Sequence, residues 1–93
     1  MIRDLSDLRS DLNQIDREII ALFERRMEVS RQVAAYKREK GLPILDAVRE
    51  EQVLQSRAEM LKDASLAQPC RELFTELMRL SRKEQEQDRG IKQ

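Results

Sequence analysis

The first forty residues carry a regular apolar spacing that constrains the fold more than any other feature of this chain. Apolar side chains recur at steps of three and four residues, the period of one face of an α-helix. Gly41 and Pro43 then end the pattern, because glycine suits the left-handed position after a helix and proline cannot continue the helical hydrogen bonds. The spacing predicts one amphipathic helix over about 5–40, with apolar positions at Leu5, Leu8, Leu12, Ile15, Ile19, Leu22, Val29, Val33 and Tyr36.

The predicted helix is longer than the domain that this chain could build alone. At about 1.5 Å per residue it spans roughly 50 Å, whereas a compact chain of 93 residues has a diameter of roughly 30 Å. Two shorter helices cannot cover the apolar stripe of the overhanging part, so a second copy of the chain is the economical partner. We expect an intertwined homodimeric helical bundle, although the pattern alone also fits a two-stranded coiled coil or a monomeric three-helix bundle.

The remainder of the chain predicts two shorter helices and no strand. Asp46 is an N-cap residue type, and helix 2 should run over about 46–64. Helix 3 should run over about 67–86, because Pro69 is tolerated in a first turn and apolar residues follow at helical spacing. The tail over 87–93 is polar and should fray. The chain is therefore predicted to be a single all-α domain of three helices.

The composition disfavours several classes of function. The chain has no histidine, one cysteine and three aromatic residues, which argues against histidine-dependent nucleophiles, histidine or cysteine metal clusters and base-stacking surfaces. Its 18 basic and 18 acidic residues argue against nucleic-acid binding by bulk charge. No signal-peptide core and no apolar span of about 18 residues is present, which predicts a soluble cytoplasmic protein with no membrane partner. We expect no cofactor and no metal.

Cationic side chains interrupt the apolar stripe of helix 1. Arg26 lies four residues after Leu22, at a position of the apolar stripe that we call the seam. A single guanidinium at such a position can simply extend into solvent along its own methylene stem. Arg9 and Lys37 border the same face, and either of them alone is better explained as a solvated surface charge. The presence of all three on one helix favours a functional role.

Polar residues also extend the apolar stripes of helices 2 and 3. Asp46, Arg49 and Glu50 lie one or two turns ahead of the buried face of helix 2, and Ser81 and Gln85 continue that of helix 3. Each alone would be a plain cap or an exposed terminal turn. Together with the cations of helix 1 they predict a pocket between helix ends. Because Arg and Lys suit carboxylates, and a phosphate would more usually be met by a Gly-rich loop, the expected ligand is a small dicarboxylate.

Taken in order, these spacings resemble the all-helical chorismate mutase family over about residues 5–85. Each motif is weak by itself because helical proteins abound in Leu, Arg and Glu, but jointly the motifs are fairly specific. Of the adjacent Arg25 and Arg26, Arg26 is the one in register with Asp16 and with the apolar stripe of helix 1, so it is the one expected to be functional. The matching elements are Leu8-Arg9, Ile15-Asp16, Leu22-Phe23-Glu24-Arg25-Arg26, Tyr36-Lys37, Gly41-Leu42-Pro43-Ile44 with Asp46, Arg49-Glu50, and Ser81 with Gln85.

The resemblance implies an intertwined dimer with two equivalent active sites, each completed by an arginine from the partner's first helix. The implied reaction is the Claisen rearrangement of chorismate, a small dicarboxylate, to prephenate on the route to phenylalanine and tyrosine. This intramolecular step needs no nucleophile, metal or cofactor. The chain would act by restricting the substrate to a compact conformer and by stabilising developing charge.

The resemblance also implies roles for the matched polar residues. Arg26 and Arg9 of the partner subunit would hold the two carboxylates, assisted by Ser81. Lys37 and Gln85 would donate to the ether oxygen, which gains negative charge as its bond to carbon breaks.

The remaining matched residues belong to helix 2. Glu50, with the chain around Asp46, would engage the ring hydroxyl, and Arg49 would complete the polar wall. The implied catalytic residues are Lys37, Gln85, Glu50 and Arg26.

Three alternatives stay open. An isochorismate pyruvate-lyase has a similar fold and a similar cationic pocket, although Asp46 and the pair Arg49-Glu50 favour the mutase. A non-catalytic helical dimerisation module would carry the same cations as surface charges. A sensor would bind a dicarboxylate without turning it over.

Overall fold

A computed structural model describes residues 2–90 of the chain, and this part is all-helical. The prediction of an all-α chain of three helices is confirmed for these residues. No helix in this range is both long enough and apolar enough to cross a membrane. In chain order the elements of the described residues are α1 (Leu5–Lys40), α2 (Ala47–Glu59), a 3₁₀ turn (Ala64–Leu66) and α3 (Ala67–Asp88).

The C-terminal end of α1 lies where its sequence predicts. Gly41 follows the last turn in the left-handed conformation, with φ of 68°. The Gly41 N–H donates to the Arg38 carbonyl at 3.3 Å and the Leu42 N–H to the Lys37 carbonyl at 2.8 Å, which satisfies carbonyls that a helix end otherwise leaves free. Lys37, Arg38 and Lys40 occupy the last turn, where positive charge interacts favourably with the helix dipole.

The second helix is shorter than predicted. Asp46 is its N-cap and not its first residue, and its Oδ1 accepts the backbone N–H of Arg49 at 3.0 Å. The helix ends at Glu59, so the predicted extension to residue 64 is wrong. The physical reason is local competition, because Asp63 Oδ1 accepts the backbone N–H (3.0 Å) and the hydroxyl (2.6 Å) of Ser65. These bonds start the 3₁₀ turn in place of further α-helix.

The third helix is longer than predicted and includes the start of the polar tail. It runs to Asp88 instead of residue 86, and Gly90 then adopts φ of 75°. Two contacts with the end of α1 stabilise the extension. Arg38 donates to both carboxylate oxygens of Asp88 at 2.8 Å, and the Arg89 guanidinium donates to the Leu42 carbonyl. Residues 91–93 of the predicted tail lie outside the described residues.

The core is small and is centred on α3, because both α1 and α2 pack along it. Within residues 2–90 the buried apolar side chains are Ala34, Val53 and Met78. The described chain measures 57 × 24 × 21 Å, and its long dimension is that of α1. The first helix therefore overhangs the other two, as its length predicts.

The overhanging part of α1 carries large apolar side chains that stay mainly exposed. The exposed fractions of Leu5, Leu12, Ile19 and Leu22 are 56, 57, 56 and 60% in the described chain. We call residues 5–22 the N-terminal half of α1 and residues 26–40 its C-terminal half. The two halves have the same apolar period but different surroundings.

Candidate active site

A cavity of about 310 Å³ opens between the C-terminal half of α1, one side of α2 along most of its length, and the C-terminal half of α3. We call it the central cavity. It brings together every predicted site residue except Arg9. Its lining consists of Arg26, Val29, Ser30, Val33, Lys37, Ile44, Asp46, Arg49, Glu50, Val53, Arg57, Met78, Ser81, Arg82 and Gln85.

Arg26 crosses from α1 to α3 at one end of the central cavity. Its Nη1 donates to the Ser81 hydroxyl at 3.0 Å. Burial, and to a smaller extent the positive charge of Arg57, lower the pKa of Arg26 from its ordinary value. Because the ordinary pKa of a guanidinium lies far above neutral pH, Arg26 remains charged at pH 7. The seam position that interrupts the apolar stripe therefore holds a partly desolvated cation.

Lys37 and Gln85 form a second polar pair in the same cavity. The Lys37 ammonium donates to the Ile44 carbonyl at 2.8 Å and to Gln85 Oε1 at 3.4 Å. Gln85 is only 6% exposed, so its amide is held in place by its surroundings. Lys has three donor protons and a Gln amide has two. The pair therefore has donors to spare for a ligand oxygen.

The first turn of α2 supplies the acidic side of the central cavity. Asp46 uses Oδ1 to cap the helix, whereas Glu50 accepts two hydrogen bonds of 2.5 Å from Nη1 of Arg82 on α3. Arg49 lines the cavity beside them. The carboxylate of Glu50 is thus fixed by an ion pair across the two helices.

Cations outnumber carboxylates in the central cavity. In the described chain its lining includes two carboxylates, Asp46 and Glu50, and five cationic side chains, Arg26, Lys37, Arg49, Arg57 and Arg82. The formal charge of the whole chain is zero, so the composition conceals this local excess. A partly enclosed cationic cavity attracts small anions.

Arg9 is the predicted site residue that the structure does not bring to the cavity. It lies at the other end of α1, with Leu5, Ser6 and Asn13 around a separate surface depression. Seventeen residues separate it from Arg26, which is about 25 Å along a helix. Arg9 of this protomer therefore cannot reach a ligand in its own central cavity.

Sequence reasoning missed three polar residues of the cavity: Ser30, Arg57 and Arg82. Arg57 could have been found, because it continues the helical period of the apolar stripe four residues after the buried Val53 on α2. Ser30 similarly lies four residues after Arg26. Arg82 lies four residues after the buried Met78 on α3, but only the packing of α3 against α2 brings it to Glu50.

A larger groove on another face of α1 and α3 does not compete with this site. It measures about 940 Å³ and includes Phe23, Met27 and Leu80 in its wall. In the described chain none of the predicted site residues lines it. Its size is therefore unrelated to the chemistry that the sequence indicates.

Three helices around a small cationic cavity define an all-helical protein with a site suited to a small anion. The chain belongs to the chorismate mutase type II family, which matches residues 8–86. The resemblance inferred from the sequence is thereby confirmed.

The chain is also similar to part of one curated protein. The "T-protein" of Haemophilus influenzae is 47% identical over 53 residues, which are 57% of this chain and 14% of that protein. The chain thus matches only a small part of the length of this relative. No solved structure matches the chain.

Proposed function

We propose that this chain is a chorismate mutase that converts chorismate to prephenate by an intramolecular Claisen rearrangement, in the biosynthesis of phenylalanine and tyrosine. The observation that carries the proposal is the gathering of Arg26, Lys37, Ser81 and Gln85 around one cavity in a member of this family. The reaction forms one carbon–carbon bond while one carbon–oxygen bond breaks within the same molecule. It therefore requires neither a nucleophile nor a cofactor from the protein.

The first task of the site is to hold the substrate in a reactive conformer. Two carboxylates of chorismate suit two guanidinium groups, because Arg binds carboxylates in a planar, bidentate geometry. Arg26, oriented by its 3.0 Å bond to Ser81, would hold one carboxylate. Arg9 of the partner subunit would hold the other. Fixing both ends removes rotational freedom that the free substrate must otherwise lose during the reaction.

The second task is to stabilise charge in the transition state. The ether oxygen becomes more negative as its bond to the ring carbon lengthens, so donors aimed at it lower the barrier. Lys37 Nζ donates to Gln85 Oε1 at 3.4 Å, so the Gln85 Nε2 protons lie near the ammonium, and both side chains can donate to one ligand oxygen. The Ile44 carbonyl keeps the ammonium in that position. Both donors are in place before the charge develops.

The acidic side of the cavity would bind the ring hydroxyl. Glu50 can accept that O–H, and Arg82 holds the carboxylate in place. Asp46 orders the adjacent backbone by capping α2, and Arg49 completes the polar wall. This arrangement favours a substrate with a ring hydroxyl opposite its carboxylates.

The assembly proposed for this enzyme is an intertwined homodimer in the cytoplasm. Two features support it: the N-terminal half of α1 leaves its apolar stripe exposed, and Arg9 lies on this half, about 25 Å along the helix from the central cavity. If two copies of α1 pack side by side in opposite directions, each Arg9 can reach the cavity of the other protomer. The dimer would cover the apolar stripe and complete two equivalent sites.

The reaction is tested by incubating the purified chain separately with chorismate and with isochorismate. Loss of substrate absorbance gives the rate, and chromatography identifies the product. Prephenate from chorismate is the expected result. Pyruvate from isochorismate would show a lyase of the same fold instead. Absence of turnover of either substrate would leave a binding or structural role and contradict the proposal.

The shared site is tested by mixing two inactive variants. Arg9→Ala and Arg26→Ala each remove one guanidinium from every site of a homodimer. After the two are unfolded and refolded together, a mixed dimer has one site with both substitutions and one with neither. If half of the dimers are mixed, about a quarter of wild-type activity returns. Activity no greater than that of the separate variants would contradict a site shared between subunits.

A further inference from the structure

Arg57 is a cation in the central cavity to which the proposed function gives no role. It lies on α2, one turn after Val53, and its side chain is half-buried beside Arg26. Its Nη1 donates to the hydroxyl of the neighbouring Ser56 at 2.9 Å. The rest of the guanidinium is therefore available to the cavity.

The charges of Arg26 and Arg57 are not neutralised by the protein. Within residues 2–90 neither guanidinium has a carboxylate at ion-pair distance, whereas Arg82 in the same cavity pairs with Glu50. Arg57 is close enough that its charge contributes to the lowered pKa of Arg26. Two like charges in a partly desolvated site repel each other. An anion between them would convert this repulsion into attraction to both.

A buried hydroxyl in the same cavity also lacks a partner. Ser30 lies one turn after Arg26 on α1 and lines the central cavity, and it is 8% exposed. In the described chain its Oγ makes no hydrogen bond. Buried polar groups in native proteins are usually satisfied. A ligand oxygen near Arg26 would satisfy this one.

We propose that Arg57 is a substrate-binding residue that shares one carboxylate of the dicarboxylate with Arg26, and that the Ser30 hydroxyl is a further donor at that position. This inference deepens the proposed function and rests on it. One carboxylate subsite is then built within a single protomer, from α1 and α2. The other carboxylate remains with Arg9 of the partner subunit.

The principal test removes the charge of Arg57 and keeps its polarity. Arg57→Gln is expected to raise KM for chorismate about ten- to a hundredfold, because a charge-assisted contact to a carboxylate is lost. The carboxylate is present in both the ground state and the transition state, so kcat should change less than KM. Arg57→Lys should recover part of the loss, since it restores a point charge without the bidentate geometry.

The matched control is Arg71→Gln. Arg71 pairs with the exposed Glu51 between α3 and α2 at 3.2 Å and does not line the central cavity. Its replacement removes one positive charge from the same pair of helices, and KM should stay within about twofold of wild type because exposed ion pairs contribute little. An equal rise of KM in the Arg57 and Arg71 variants would overturn the inference.

A ligand-free measurement separates binding from a structural role. If Arg57 mainly repels Arg26, Arg57→Gln should unfold at the same temperature as wild type or at a higher one. A stabilising role for Arg57 predicts a lower Tm instead. An unchanged KM, or a raised KM together with a lowered Tm, would overturn the inference.

A second ligand keeps this inference distinguishable from the proposed function. Sodium succinate, a simple dicarboxylate, is titrated by calorimetry at constant ionic strength into wild type, Arg57→Gln and Ser30→Ala. Wild type should bind it more tightly than either variant. If wild type fails to rearrange chorismate but shows this order, the mutase activity fails and the anion subsite stands. If wild type does not bind succinate, or all three bind it equally, the subsite fails even where mutase activity is found.

Discussion

The two halves of α1 have the same apolar period but differ in how much of each packs on the rest of the described chain. The C-terminal half packs on α3 and forms one wall of the central cavity, and its Ala34 is 2% exposed, although Val29 and Tyr36 of its apolar stripe remain 56 and 58% exposed. In the N-terminal half the apolar side chains Leu12 and Ile19 are 57 and 56% exposed. Helical periodicity shows which face of a helix is apolar. It does not show whether the covering group comes from the same chain.

Arg26 and Arg9 have similar positions in the sequence but different surroundings in the structure. Arg26 and Arg9 both lie on or beside the apolar stripe of one helix, but only Arg26 has a neighbouring helix to contact. Its bond to Ser81 and its lowered pKa both follow from that packing. Arg9 lies at the overhanging end, where a role in catalysis depends on a second chain.

The largest expected effect is on the chemistry of the C-terminal half. Lys37→Ala removes a donor to the ether oxygen, and loss of one such donor typically lowers kcat by about 10² to 10³. Because Lys37 lies at the edge of the core and makes its bonds to Ile44 and Gln85, the helical fold and the assembly should persist. The measurements are steady-state kinetics with chorismate, circular dichroism and sedimentation.

The matched control for this change lies one turn away. Lys40 is exposed at the end of α1, over the ring of Tyr36 at 5.9 Å, and it does not line the central cavity. Lys40→Ala should keep kcat within about twofold of wild type, since exposed charges contribute little. Near-normal turnover in Lys37→Ala would contradict the proposed mechanism.

The next effect concerns the N-terminal half. Leu12→Glu places a charge in the apolar stripe, and if a second chain covers that stripe, the unpaired charge would have to be buried. Sedimentation should then show dissociation at micromolar concentration, and activity should fall more than about tenfold and recover partly as protein concentration rises. Met60→Glu is the control, because Met60 is 72% exposed after the end of α2. A Leu12→Glu variant with unchanged assembly would contradict the burial of this stripe between two chains.

A smaller effect is expected where the C-terminal half ends. Gly41→Ala should lower the free energy of unfolding by about 1 kcal/mol, because φ of 68° is unfavourable for a side chain. No atom would obstruct the added methyl group, so backbone strain is the cause. Gly90→Ala introduces similar strain at φ of 75°, but beyond the last helix, where loss of local structure costs little. Equal losses in both variants, measured by urea unfolding, would contradict this difference.

The smallest effect belongs to the connection between α2 and α3, which touches neither half of α1. Hydrogen bonds from the Ser65 side chain, and then from its backbone, lower the pKa of Asp63. A lowered pKa means that the contribution of the carboxylate to stability is complete above the ordinary carboxyl pKa and is lost as pH falls through the folded-state pKa. Asp63→Ala should therefore lower Tm slightly at pH 7, and the difference from wild type should shrink in acid. A difference that stays constant with pH would contradict this assignment.

The ends of the helices show how far local sequence signals reach. The C-terminal end of α1 could be predicted because Gly41 and Pro43 act on the backbone directly. The end of α2 was misplaced although its signal is also local, in the bonds between Asp63 and Ser65. The end of α3 was not predictable from local signals, because the Arg38–Asp88 contact joins residues fifty positions apart.

The residues of the candidate site also fall into two groups, those that a local sequence signal predicts and those that depend on helix packing. Polar residues that interrupt a helical period, such as Arg26 and Lys37, are visible in the sequence because a cation on an apolar face needs an explanation. The role of Arg82 is not visible, since it depends on the contact with Glu50 across two helices. Arg57 was visible in principle and was missed, because it continues the stripe of α2 beyond the turns that the prediction considered.

The sequence by itself determined that this chain forms one overlong amphipathic helix and two short ones, and which polar residues interrupt their apolar faces. These properties depend on spacing along a helix, which the order of residues specifies directly. Only the tertiary structure decided that α3 lies between α1 and α2 and that cations from three helices meet at one cavity. It also decided that Arg26 and Arg57 line this cavity with no ion-paired carboxylate in the described chain. Those properties depend on how helices pack, and packing is set by side-chain contacts between residues far apart in the sequence.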